Sequence, residues 1–287
     1  MINATVLAKA FPQLENISII GGSSGGQKEV CRARLNGDDV ALKLIHLYSG
    51  SNARTERELA AVKKLNSSYV PKLHIAGRVT IGTETREYII EQFIEGVTYR
   101  SILVRPPVQA FHAVLELTKV LLLAACDFEK VGLVHRDLKP ENLMVGHADS
   151  KIWIIDFGIA RDLSLPSITP AGAYQGVGTI GYAAPEQFRN LRAQIDIRAD
   201  LFAIGVIAHE SLQGANYYWK NAPDQIAVMH KMENEDLSRM TLACDTTNLF
   251  ADFIACLAQR FPSRRPQSAS QAYAWFEPIY EQLKKAP

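Results

Sequence analysis

At 287 residues the chain holds about two compact units of roughly 150 residues each, which excludes a long multidomain assembly. Its 31 Lys and Arg against 30 Asp and Glu leave a formal charge of +1, too balanced for a dominant polyanion-binding surface, and 47% hydrophobic with 21% charged residues is a globular composition. Cys31, Cys126, Cys244 and Cys256 show no CxxC spacing, so neither a disulfide framework nor a zinc site is expected, and a reducing cytoplasm is the expected compartment.

Polar residues interrupt Met1–Leu14, and the longest apolar run, Val120–Cys126, is far below the ~20 residues of a membrane span. Ile17–Ile20 reads as a strand running into Gly21, Gly22, Gly25 and Gly26. Val30–Leu35 and Val40–Ile45, joined through Asn36-Gly37, predict a hairpin. From Asn52 to Leu65 the pattern turns helical, with Leu59, Val62 and Leu65 at spacing three. Leu73–Val79 and Glu87–Phe93 predict a second hairpin around Gly82–Thr85. Val108–Val131 predicts a long helix introduced by Pro106-Pro107 and closed by Gly132. Two short strands, Leu143–Val145 and Lys151–Ile155, precede an irregular stretch, Arg161–Gly181, rich in Ser, Thr, Pro and Gly and of the length functional loops have. Helices at Ala199–Leu212, Asn221–Glu233, Asn248–Gln259 and Ser268–Leu283 complete the chain. The result is an α+β architecture: a small β-rich lobe with one helix (about 11–93), a connection at about 92–95 and a larger helical lobe (about 96–283).

The most specific run is His135-Arg136-Asp137-Leu138-Lys139-Pro140-Glu141-Asn142, with Asp156-Phe157-Gly158 beginning fourteen residues beyond Asn142. With Val40-Ala41-Leu42-Lys43 upstream and Ala184-Pro185-Glu186 downstream, the order and separations resemble the eukaryotic-like (Hanks-type) Ser/Thr protein kinases, and more the bacterial than the animal members. The resemblance implies the bilobal protein-kinase fold as one catalytic domain over 1–287, with ATP expected between the lobes and its γ-phosphate transferred to protein Ser/Thr hydroxyls.

Phosphoryl transfer needs positioning and charge neutralisation more than covalent chemistry. Asp137 is the candidate base that orients the acceptor hydroxyl and takes its proton, while Lys139 offsets charge on the γ-phosphate. Asn142 lies across a tight turn containing Pro140, so its amide oxygen and the Asp156 carboxylate make a hard-oxygen site suited to Mg²⁺, or Mn²⁺ in its place. In the family the lysine at Lys43 holds the α- and β-phosphates and is itself held by a helix glutamate; Glu58, in phase with Val62 and Leu65, is favoured over Glu56. The family's glycine-rich pattern falls here on Ser23, Gly25 and Lys28, so only its middle position is glycine. Gly25-Gly26 still let backbone amides approach phosphates, and Lys28 adds a positive charge. The adenine pocket is expected from Val30 and Ala41 above, Met144 below, and the backbone of Gln92, Phe93 and Ile94. Matched from Gly96, Glu91 falls where an apolar residue usually guards that pocket; a one-residue shift makes Ile90 the guard, and the sequence leaves both open.

Asp156–Glu186 resembles an activation segment, with Ser164, Ser167, Thr169 and Thr179 as phosphoacceptor candidates and Arg136 as the partner of a phosphate there. Gly178-Thr179-Ile180-Gly181-Tyr182 resembles the stretch that seats a peptide substrate, with Thr179 bonding near Asp137 and Lys139. Glu186 is expected to pair with Arg265, Asp200 to bond the backbone near His135, and His135 to be a core histidine rather than a base. A small-molecule kinase of the same fold is disfavoured by Lys139 and by the Gly-Thr-x-x-Tyr stretch ahead of Ala-Pro-Glu. A pseudokinase or scaffolding module with weakened ATP binding is disfavoured by intact Lys43, Asp137 and Asp156, and favoured only by the irregular glycine loop. The expected partners are protein substrates with Ser/Thr acceptors and a transient homodimer for autophosphorylation, without nucleic acid, membrane or a separate sensor domain.

Overall fold

Cys31, Ala33, Leu35, Val40, Leu42 and Leu44 recur at every second position, and that period puts them on one face of a pleated strand pair. In the computed structural model, which describes residues 3–22, 28–46, 62–103, 110–156, 178–189 and 195–285, those residues form a single buried cluster. They belong to a five-stranded antiparallel sheet built from β1 (Glu15–Gly22), β2 (Lys28–Leu35), β3 (Asp38–His46), β4 (Leu73–Ile81) and β5 (Glu84–Gln92), in the order β1-β2-β3-β5-β4. Asn36 and Gly37 both take positive φ, 52° and 91°, the turn that an Asn-Gly hairpin favours.

The sheet-bearing unit comprises the described residues up to Asn66 together with Val70–Glu95. It starts before residue 11, the expected boundary. Helix α1 (Ala4–Ala10), capped by the Asn3 side chain at 3.0 Å from Val6 N, buries Leu7 in the cluster, and Phe11 follows, edge-on to Tyr88. Seven residues are too few to announce a helix by periodicity, and burial of Leu7 rather than propensity holds it. Of the helix expected over 52–65, residues 62–64 are helical and 52–61 lie outside the described residues.

The second unit contains Ser67–Tyr69 and the described residues of Gly96–Asp156 and from Gly178 onward. A three-stranded sheet, β6 (Gly96–Thr98), β7 (Leu143–Gly146) and β8 (Ile152–Ile154), is accompanied by α2 (Tyr99–Leu103), α3 (Phe111–Lys130), α4 (Pro185–Phe188), α5 (Ile197–Gln213), α6 (Gln225–Asn234), α7 (Leu249–Leu257) and α8 (Ala269–Leu283). Apart from Arg198 and Gln213, every residue of α5 is buried, as expected where its middle, Leu201–Ala208, is apolar on all sides; it packs against α3 and α7. Gly205 permits the close approach to α7, since a Cβ there would lie 3.0 Å from Ile254 O and Ala258 N. Asp196 caps α5, Asp224 caps α6 and Ser268 caps α8. The Asp224 cap is why α6 starts four residues later than the expected Asn221. No helix among the described residues is long and apolar enough to cross a membrane.

Candidate active site

The loop before β7 owes its shape to a short 3-10 turn, Pro140–Asn142, in which proline takes the first position and Asn142 N bonds back to Lys139 O at 2.9 Å. This turn brings Asn142 back onto Asp137: Asn142 Nδ2 donates to Asp137 O at 2.8 Å and to Asp137 Oδ2 at 3.1 Å. Lys139 Nζ reaches Oδ2 at 2.9 Å, and the Thr179 hydroxyl donates to Oδ1 at 2.7 Å. Lys139 Nζ also donates to Thr179 Oγ1 at 2.7 Å. Asp137, Lys139, Asn142 and Thr179 thus form one hydrogen-bonded cluster, with Asp137 only 9% exposed. A buried carboxylate tied by three donors has its orientation set before any substrate arrives.

Beneath the cluster, Asp200 near the start of α5 accepts from His135 N at 2.7 Å and Arg136 N at 2.8 Å. Burial pushes its carboxyl up to about 6, and those two N–H groups oppose the shift. Arg136 adopts φ 64°, a left-handed conformation for a non-glycine residue, and its carbonyl accepts from Gln187 Nε2 at 2.8 Å. Such backbone persists where the surroundings over-determine it. His135 is fully buried, its pKa lowered to about 4 chiefly by burial, and its Nε2 meets Ile155 O at 3.2 Å. It is a core histidine.

Strand pairing places the two candidate metal ligands side by side. Leu143 opposes Ile154, and Ile155 N donates to Asn142 O at 2.9 Å, so Asn142 at the start of β7 adjoins Asp156 just beyond β8. Asp156 also has positive φ, 63°. Both amide bonds of Asn142 to Asp137 are made through its nitrogen, which leaves the side-chain oxygen as the acceptor for a cation. An amide oxygen and a carboxylate are the hard donors that Mg²⁺ takes, so the residues present fit the metal.

In the sheet-bearing unit, Lys43 is buried on β3 and its Nζ is ion-paired with Glu91 Oε1 of β5. The expected partner, Glu58, lies outside the described residues, as do Ser23, Gly25, Gly26, Phe157, Gly158, Ser164, Ser167 and Thr169. Lys28 opens β2, opposite Ile45. Val30 opposes Lys43 and Ala41 opposes Glu91. Gln92 N donates to Lys72 O at 2.8 Å and Phe93 N to Asp39 O at 3.1 Å; Ile94 is buried. Ile90 is fully buried in the cluster with Leu42 and Leu44, and Glu91 lies on the opposite face, with Ala41 and Lys43. Met144 lies on β7 in the second unit, opposite Thr98 and Trp153.

The expected Glu186–Arg265 pair is present and bidentate, at 2.6 and 3.0 Å. A network that the sequence reading missed ties the segment after Thr179 to α2 and α5. Arg100 Nη1 donates to Glu210 Oε1 at 2.7 Å and Nη2 to the Tyr182 hydroxyl, which in turn donates to Glu210 Oε2, while Arg100 Nε holds Glu141 at 2.8 Å. Burial and the Glu210 charge raise the Tyr182 pKa. Nothing local marks these residues, which lie 28 to 110 positions apart.

The sequence pattern of the protein kinase domain matches residues 14–276. The chain belongs to the protein kinase family. It is 30% identical over 269 residues to the serine/threonine-protein kinase PknL of Mycobacterium tuberculosis, covering 91% of this chain and 64% of that protein. To PknB of Mycobacterium leprae it is 28% identical over 262 residues, 87% of this chain and 40% of the relative. The chain therefore spans less than two thirds of the length of these relatives. Its fold is similar to the crystal structure of the Mycobacterium tuberculosis PknI kinase domain, with TM-score 0.64 at 20% identity over 91% of this chain and 93% of that one.

Proposed function

We propose that the chain transfers the γ-phosphate of ATP to serine and threonine hydroxyls of proteins, with Asp137 as the residue that receives the acceptor hydroxyl. The observation that carries this reading is the bond from the Thr179 hydroxyl to Asp137 Oδ1 at 2.7 Å: an alkyl hydroxyl already donates to the carboxylate oxygen assigned to that task. Lys139 Nζ, 2.7 Å from that hydroxyl oxygen, lies where it offsets negative charge developing as the oxygen attacks. Asp137 then accepts the proton of the acceptor hydroxyl at a carboxylate oxygen.

Asn142 and Asp156 would hold the divalent cation, which when bound neutralises phosphate charge. Lys43 binds the α- and β-phosphates. The N–H groups of Gln92 and Phe93 are taken by Lys72 and Asp39, so the donor to the adenine ring falls to Ile94, with Val30 and Ala41 as apolar lining from the same unit. Autophosphorylation in a transient homodimer, at Ser164, Ser167 or Thr169, belongs to the same reading. Thr179, engaged with Asp137 and Lys139, is better suited to shaping the site than to accepting phosphate. The four cysteines are free thiols, which suits a reducing cytoplasm.

The test is incubation with γ-labelled ATP and Mg²⁺ beside Asp137→Asn. Label on the wild-type chain or a generic protein acceptor, lost in the variant, is the expected result. No label on either, together with no thermal shift by Mg-ATP, sinks the reading.

A further inference from the structure

In antiparallel strands directly opposed residues share a face, and the next but one along each strand returns to it. Lys43 opposes Ile89 and Ala41 opposes Glu91, so Lys43, Ala41, Ile89 and Glu91 all lie on one face of the sheet. Glu91 is the diagonal neighbour of Lys43, a separation that two long side chains bridge, and its Oε1 is ion-paired with Lys43 Nζ. Both side chains are largely withdrawn from water, at 7% and 13% exposure, where ionic interactions are screened less than at the surface.

A carboxylate in that position is the same kind of counter-ion as a phosphate oxygen. A polyphosphate arriving at Lys43 meets a cation that is already neutralised, with a like charge beside it. We propose that Glu91 sets the nucleotide affinity of this kinase by competing with the phosphate groups of the nucleotide for Lys43. The proposal rests on the reading of Lys43 as the phosphate-binding lysine. The carboxylate has to leave or share Nζ before phosphates engage it, and part of the phosphate-binding energy is offset by that step. The nucleoside takes no part in the competition, so the effect is confined to ligands that carry phosphate.

The experiment is calorimetric titration of the full chain with ATP, ADP and adenosine, in Mg²⁺, for wild type, Glu91→Gln and Glu91→Met. Glutamine keeps the shape and removes the charge; methionine, of similar length, keeps the test open should the glutamine variant fail to fold, which melting temperatures report. Both variants are expected to bind ATP and ADP about tenfold more tightly relative to adenosine, whose own affinity reports any effect of the substitution on the adenine ring. Unchanged or weaker ATP binding in the folded variants, or equal tightening of adenosine, overturns the proposal and leaves the kinase reading standing. Absence of nucleotide binding in wild type and variants alike overturns both.

Discussion

Replacing Arg265 by alanine tests the buried ion pair that anchors the segment around Glu186. Arg265 is 2% exposed and its guanidinium meets five acceptor contacts: Glu186 Oε1 at 2.6 Å, Glu186 Oε2 at 3.0 Å, Gln259 O at 2.6 Å, Arg198 O at 2.9 Å and Arg260 O at 3.1 Å. Removing it strands the Glu186 carboxylate, 3% exposed, and breaking a buried pair in this way costs about 3–5 kcal/mol. Three carbonyls also lose a partner at about 1 kcal/mol each, but these losses overlap, so the expected destabilisation is about 5 kcal/mol. At roughly 2–4 °C per kcal/mol for a domain of 150–250 residues, the melting point falls by about 10–20 °C. Arg265→Lys supplies one ammonium that cannot span the fork and three carbonyls together, and about 3 kcal/mol of loss is expected. Urea unfolding followed by the fluorescence of the three tryptophans reads both values. A loss below about 1 kcal/mol in the alanine variant, or a lysine variant as stable as wild type, would refute the reasoning.

Gly181 has φ +97° and a Cβ there would lie 2.7 Å from Trp219 Nε1, so Gly181→Ala should cost about 1–3 kcal/mol of stability and slow phosphorylation of peptide acceptors; a variant as stable and active as wild type contradicts this. Asp200→Ala orphans the N–H groups of His135 and Arg136, with an expected loss of about 2–4 kcal/mol and a fall in turnover, while Asp200→Asn, which retains one acceptor oxygen, should recover part of both in urea and labelled-ATP assays. Thr179→Val removes the hydroxyl donor to Asp137 while keeping volume, and turnover measured with a protein acceptor should drop about tenfold or more, with the melting point within a few degrees of wild type. His209 is buried, its Nδ1 has no hydrogen-bond partner among the described residues, and burial lowers its pKa from 6.5 to about 4. Between those values the unfolded chain binds the proton first, so His209 contributes stability that is present above about pH 6.5 and lost as pH falls toward 4, by up to about 3 kcal/mol. Unfolding free energies at pH 7.5 and 4.5 should therefore differ less in His209→Phe than in wild type; equal differences would remove the argument.

Local chemistry was enough for much of this molecule. Asn36-Gly37 demands its hairpin, Pro140 its turn, and the alternation from Cys31 to Leu44 its buried face, because each rests on backbone conformation or period within a few residues. The run His135–Asn142 with Asp156 identified the residues that the fold then assembles, since one tight turn and one strand pairing suffice to bring Asp137, Asn142 and Asp156 together. The choice between Ile90 and Glu91 was different in kind. A one-residue slip of β5 exchanges its faces, and only pairing with β3 decides that Ile90 enters the core and Glu91 meets Lys43. Helix α1, held by burial of Leu7, and the Arg100–Glu210–Tyr182 network were likewise settled by tertiary structure. Their partners are distant along the chain, and no local period or motif encodes a contact between distant residues. Length suggested two units, and the fold shows two. The lysine that makes one of them a candidate phosphate site was named by the sequence, and its ion pair with Glu91 was set by strand register.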